Sequence, residues 1–178
     1  PAYATQEGVP QRVAWIFAAF GVATVIGGLL GGLVSKKLAP LSALRNAYVV
    51  WFITCIPIAF TYPDWTMALV GTFIGLMGGA VQVFYFEVLE AVRPRGSQTA
   101  SLGWIWSIEG SFMALGSAFG GYVSQEFSPR IALSITPACI GIGAIILIAG
   151  KKYLSEANAR PSTENDLRAM RDNSDETN

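Results

Sequence analysis

The sequence predicts an all-α integral membrane protein, a multi-pass helical bundle of five transmembrane helices. Three observations point there. Of the 178 residues, 52% are hydrophobic and 13% charged, against about 25% charged in soluble domains. Five apolar stretches each approach the roughly 20 residues that a helix needs to cross a bilayer. And one pattern occurs twice, 89 positions apart: residues 15–44 and 104–133 share 11 of 30 aligned positions, Trp15/Trp104, Gly27/Gly116, Gly31/Gly120 and Pro40/Pro129 among them. Self-similarity at a fixed spacing constrains architecture. Here it predicts one helix-loop-helix unit used twice.

Residues 1–12 read as an extracytoplasmic loop. They are short, polar and turn-rich, and lack the basic start and apolar stretch of a secretory signal. The expectation is a segment that follows an earlier helix. The first span covers about 13–34 and carries Gly27, Gly28, Gly31 and Gly32 at helical spacing. The second, about 43–60, is short and contains Pro57. The third, about 65–89, carries Gly71, Gly75 and Gly79. The fourth, about 100–123, carries Gly116 and Gly120, and the fifth, about 131–150, contains Pro137. Prolines inside membrane helices are tolerated as kinks. Small residues at i and i+4 make a face that lets another backbone approach, for static packing or for sliding. Spans two and five have bulky faces instead and are expected to be peripheral and lipid-facing. Residues 155–178 hold six acids and three arginines without apolar periodicity, so a disordered cytoplasmic tail is expected.

The connections are chemically sided. Lys36, Lys37 and Arg45 follow span one, Arg93 and Arg95 follow span three, and Lys151 and Lys152 follow span five. The other side has only Arg12 and Arg130. Basic residues concentrate on the cytoplasmic side, which places the N-terminus outside and the C-terminus in the cytoplasm. Lys36-Lys37 of the first copy becomes Gln125-Glu126 in the second. The copies start three spans apart and so cross in opposite directions, an inverted repeat of the kind found in secondary transporters.

Glu109 is the sharpest single residue. It lies near the middle of span four, where a charge costs roughly 2.5–3.5 kcal/mol on insertion scales. Such an acid is protonated, paired, or faces a water-filled cavity. Its counterpart in the first copy is Phe20. Gln82 lies on the glycine face of span three, and Tyr85 continues that face. Trp106 flanks Glu109, and Thr24 is the mid-depth polar residue of span one. These five are the substrate- or proton-binding candidates, with helix packing the alternative for each. Glu87 and Glu90 lie near Arg93 and Arg95; with Lys36 and Lys37 they form either a cytoplasmic gate or a snorkelling interfacial cluster.

Zero net charge speaks against a nucleic-acid partner. The absence of histidine excludes Ser-His and Cys-His catalysis and His-based metal sites. Cys55 and Cys139 fall in apolar spans and are expected as free, buried thiols. No cofactor, no metal and no enzymatic activity are expected. The bilayer is the evident partner.

GGLLGGLVSKKL resembles the glycine-and-basic loop motif of the major facilitator superfamily, with Ser35 at the acid position and the later glycine missing. PRGSQTASLGWIWSIEGSFMALGSAFGGYVS resembles the eleventh helix of its efflux-type members. The resemblance covers about residues 1–154 and implies helices eight to twelve of a 12-helix fold with inverted repeats. It also implies an alternating-access carrier, many relatives of this appearance being proton-linked exporters, in which the seventh, eighth, tenth and eleventh helices line the cavity and the ninth and twelfth face lipid; spans one, three and four here would be the eighth, tenth and eleventh. On that reading the small-molecule substrate is unknown, and the missing N-terminal half, or a partner chain, completes the carrier. The other class of function is a non-transporting membrane protein, or a remnant, that associates with partner helices.

Overall fold

The computed structural model describes residues 2–35, 37–92 and 98–154, and among them helices joined by short turns are the only regular structure. Helix α1 (Ala2–Gln6) is one short turn, α2 is Val13–Ser35, α3 Pro40–Cys55, α4 Trp65–Val92, α5 Gln98–Glu126 and α6 Pro129–Ala149. Single 3-10 turns precede α2 (Pro10–Arg12), extend α3 (Ile56–Phe60) and follow α6 (Gly150–Lys152). The tail from 155 onward lies outside the described residues.

The ends of these helices follow from local chemistry. Proline has no N–H to lose in a first turn, and both α3 and α6 start on one, Pro40 and Pro129. Ser128 caps α6 by accepting a bond from the Ile131 N–H at 3.2 Å. Asp64 does the same for α4, its Oδ1 accepting from the Thr66 N–H and the Thr66 hydroxyl, both at 2.7 Å. Pro57 cannot give an N–H to the Ile53 carbonyl, which instead takes the Ile56 N–H. There α3 tightens into its 3-10 turn. Pro137 sits inside α6 without ending it.

The segment read as a loop, 1–12, is therefore partly helical. Gly8, at φ +72°, ends α1, with Val9 N–H bonded to the Ala4 carbonyl and Gly8 N–H to that of Thr5, a glycine-terminated helix end. Tyr3 and Ala4 are buried, so apolar contact holds the turn in place.

Four helices, with their flanking turns, are long and apolar enough to cross a membrane: Pro10–Ser35, Pro40–Phe60, Trp65–Val92 and Pro129–Lys152. The fourth predicted span does form a helix, α5, of 29 residues, ample for the ~30 Å hydrocarbon core. It is more polar than the others because Ser107, Glu109, Ser111 and Ser117 interrupt its apolar content. The three serine hydroxyls donate to carbonyls one turn back, at 2.8 Å each, which satisfies them without a neighbour.

Helix α4 is the hub. It packs along α2 on one side and against α3 on the other; α3 continues to α6, and α5 lies mainly against α6. In the α2–α4 seam the backbones touch. A Cβ on Gly27 would strike the Leu76 carbonyl and one on Gly79 the Thr24 carbonyl. A Cβ on Gly75 would lie 2.5 Å from the Phe20 oxygen, and one on Gly31 2.9 Å from the Ala80 Cα. Only glycine fits such an approach. Gly71 and Gly32 take no part, having open space where a Cβ would go.

Against expectation, α3 is not simply peripheral. Leu41, Ala43 and Leu44 form a buried cluster with Val81, Phe84 and Val88 of α4, while Val49, Val50 and Ile53 stay exposed on its outer face. On α6, Ile142, Ile145, Ile146 and Ile148 are exposed, as a lipid-facing helix requires. Cys55 is buried as expected, but Cys139 is exposed on that same outward side of α6.

A cavity between the third, fourth and fifth helices

A cavity of about 440 Å³ opens between α3, α4 and α5. Tyr48 and Trp51 supply its α3 wall. Gly78, Val81, Gln82 and Tyr85 supply the α4 wall, and Ile105, Ile108 and Glu109 the α5 wall. Helical spacing explains the grouping: 78, 81, 82 and 85 share one face of α4, and 105, 108 and 109 one face of α5. Trp51 is fixed in two ways. Its Nε1–H donates to the Ile74 carbonyl at 3.0 Å, and its six-membered ring lies over Gly78, 3.4 Å from where a Cβ would be. Tyr48 meets it edge-on, with ring centroids 5.6 Å apart and planes at 79°. Tyr85 tilts against Phe86 at 5.5 Å.

Three of the five predicted binding residues thus come together: Glu109, Gln82 and Tyr85 line one cavity. Glu109 lies three residues from the midpoint of α5, about 5 Å along the axis. Among the described residues of the wall, Glu109 is the one acidic side chain, and no lysine or arginine stands there. The other two candidates stand elsewhere. Trp106 is 63% exposed and outside the cavity wall, because it projects from another face of α5 than Ile105 and Glu109 do. Thr24 belongs to the α2–α4 seam. Its hydroxyl donates to the Phe20 carbonyl at 2.9 Å, and its own carbonyl borders Gly79.

Of the gate candidates, Glu87 is tied to the end of α2: the Ser35 hydroxyl stands 3.3 Å from Glu87 Oε1 and 3.2 Å from the Gly32 carbonyl. Glu90 is half-buried on α4 and Lys37 is exposed. Lys36, Arg93 and Arg95 lie outside the described residues, and with them the expected ion pairs.

Sequence reasoning missed Tyr48 and Trp51. The signal was present: Leu41, Leu44, Tyr48, Trp51 and Cys55 repeat at helical spacing and mark the inward face of α3. The bulky run Val49-Val50-Trp51-Phe52-Ile53 concealed it.

A polar cluster ties the ends of α1, α4 and α6 together, on the side expected to be external. The Tyr62 hydroxyl donates to Glu7 Oε2 at 2.8 Å. Arg130 Nε donates to the Tyr3 hydroxyl at 3.0 Å, and its guanidinium lies 5.8 Å from the Tyr3 ring centre. The bond to Glu7 raises the Tyr62 pKa above its ordinary value. The hydroxyl of Thr66, then its N–H, holds Asp64 below the usual carboxylate range. Beneath this cluster is a second cavity, of about 240 Å³, walled by apolar residues such as Ile16, Phe17 and Met67 apart from Tyr3.

Comparison with known proteins accords with this architecture. The chain is 22% identical over 152 residues to a probable sphingolipid transporter, spinster homolog 1, of Arabidopsis thaliana. The match takes in 82% of this chain and 31% of that protein, so the chain spans about a third of its relative's length. No solved structure matches significantly. A family model of the Major Facilitator Superfamily matches residues 1–172. With that match covering nearly its whole length, the chain belongs to the Major Facilitator Superfamily and is a multi-pass membrane protein.

Proposed function

We propose that the chain is the cavity-bearing C-terminal part, about helices eight to twelve, of an alternating-access secondary carrier for a small amphipathic solute. One observation carries this reading: Glu109, Gln82 and Tyr85 converge on a 440 Å³ cavity inside an otherwise apolar helix bundle. An ionisable group at membrane depth that lines a cavity is a functional candidate by default. Supporting it are the family and the transporter relative, whose printed name suggests a lipid-like solute. In this reading Glu109 takes up a proton from one side and releases it to the other, faced by the hydroxyls of Tyr48 and Tyr85, and the coupling drives export. The N-terminus is external and the C-terminus cytoplasmic.

Flux in proteoliposomes tests it, with the gene product and a fluorescent sphingosine as first probe. An imposed proton gradient should drive accumulation that a protonophore and Glu109→Gln both abolish. Accumulation indifferent to the gradient and to Glu109 refutes the coupling, and absence of protein-dependent flux from the chain joined to its second helix bundle refutes the carrier.

The reading also requires a second helix bundle, from the remainder of a longer chain or from a partner. Its docking surface is α5: Gly103, Gly110, Gly116, Gly120 and Gly121 have no neighbour where a Cβ would sit, and residues 103–119 are exposed but for Ile105. The same surface favours the second reading, a non-transporting protein that associates with partner helices. Helix association without flux would distinguish it.

A further inference from the structure

The chemistry of the cavity wall goes beyond the existence of a carrier to the class of its solute. Glu109 has no hydrogen-bond or ion-pair partner among the described residues, and no lysine or arginine stands with it in the wall. An acid at this depth faces water or pairs with a cation when it carries charge, and the described wall offers it no cationic side chain. Three aromatic side chains share the cavity with it: Tyr48, Trp51 and Tyr85. Trp51 is locked by the Ile74 carbonyl and buttressed by Tyr48. Its preset ring therefore loses little freedom on meeting a ligand. Aromatic faces attract cations, tryptophan most strongly, and organic ammonium groups are what such walls recognise. An anion finds only the carboxylate's repulsion here. A polyhydroxylated solute would find Gln82 and two phenol hydroxyls to satisfy many groups. The volume of about 440 Å³ falls within the range of small-molecule sites.

We infer that the α3–α4–α5 cavity binds an organic ammonium cation, its charge set against Glu109 and its alkyl groups against Trp51, Tyr48 and Tyr85. This rests on the carrier reading for its biological meaning, but not for its test, which measures binding rather than flux.

The test is equilibrium binding of phenyltrimethylammonium to the full chain in lipid nanodiscs. Its neutral isostere, tert-butylbenzene, reports hydrophobic partition alone. The cation should bind saturably, and Glu109→Gln should weaken it at least about tenfold, as loss of a charged partner implies. Trp51→Leu should weaken it about 3- to 30-fold, the span of a cation–aromatic contact, with Trp51→Phe retaining part of the affinity. The isostere should not distinguish the variants. Helicity and elution volume of each variant show that it is folded; Glu109 is exposed, so its substitution leaves packing alone and decides the question by itself. Saturable, Glu109-dependent binding without gradient-driven flux upholds the cation site and rejects the carrier. Equal affinity of Glu109→Gln and the parent chain overturns the cation site, even where gradient-driven flux upholds the carrier.

Discussion

Replacing Gly27 by alanine should force α2 and α4 apart. A Cβ there would strike the Leu76 carbonyl oxygen and lie 2.7 and 2.8 Å from the Leu76 carbonyl carbon and Cα. All three are backbone atoms of a helix, so no rotamer change relieves the contact and the helices themselves must separate. A radial gap of even 0.5–1 Å forfeits a quarter to a half of each dispersion contact along the seam, and overpacking of this kind costs about 1–3 kcal/mol. Alanine returns about 0.5–1 kcal/mol through its better helix propensity. The net expectation is a destabilisation of about 0–2.5 kcal/mol. The repeat supplies an internal control. Gly116 is the equivalent residue of α5, and nothing lies within 4 Å of its would-be Cβ. There only the propensity remains, and alanine should stabilise by up to about 1 kcal/mol. Unfolding of the chain in mixed micelles by increasing detergent denaturant, followed by circular dichroism, reads both. If the two variants shift stability in the same direction by like amounts, the close-contact account of the α2–α4 seam is wrong.

Three further outcomes are expected. Asp64 has a depressed folded pKa because it accepts from Thr66. Its contribution to the start of α4 is fully present above its ordinary 3.8 and is lost as pH falls through the lowered value; amide exchange at Thr66 should accelerate in that acid window, and Asp64→Ala should remove the pH dependence. Tyr62 has the opposite sign: its bond to Glu7 is present below the ordinary 10.0 and lost as pH rises through the raised value, so the Tyr62 step of a spectrophotometric titration, assigned by its loss in Tyr62→Phe, should move to lower pH in Glu7→Gln. Cysteines placed at Lys37 and at Glu126 should react with an impermeant thiol reagent from opposite sides of sealed vesicles; reaction from one common side removes the inverted repeat.

Much of this architecture can be read from residues, and the exceptions have physical causes. A polar side chain in an apolar run is conspicuous because the bilayer penalises it, which is why Glu109, Gln82 and Tyr85 stand out and do meet. Thr24 and Trp106 stand out for the same reason yet serve otherwise. A hydroxyl can satisfy itself on its own helix, as Thr24 does with Phe20, and a tryptophan is apolar enough to face lipid. Tyr48 and Trp51 were hidden because composition reports how bulky α3 is, not which way each side chain points. The glycines at i, i+4 announced close packing, but only the partner's backbone decides which are used: Gly27 and Gly31 are, and Gly116 and Gly120 are not. The helical turn at Ala2–Gln6 is too short for periodicity to reveal and is held by contacts distant in sequence, Tyr62 and Arg130.

The two copies of the repeat have diverged in a direction that the cavity explains. Both form a long helix, a short turn and a helix opened by proline, α2–α3 and α5–α6. In the first copy Gly27 and Gly31 are closed against α4, and Phe20 contributes its carbonyl to that seam at Gly75. In the second the glycines stay open, and the residue aligned with Phe20 is Glu109, facing the cavity. An acid at position 20 would gain little, since Phe20 borders the second, smaller cavity, whose wall is apolar apart from Tyr3. A phenylalanine at 109 would remove the one acidic side chain of the described wall. The α2–α4 pair is therefore the fixed frame against which α5, anchored mainly through α6, presents its charge. Substitutions in the first copy should accordingly alter stability, and equivalent ones in the second should alter binding while leaving the fold intact.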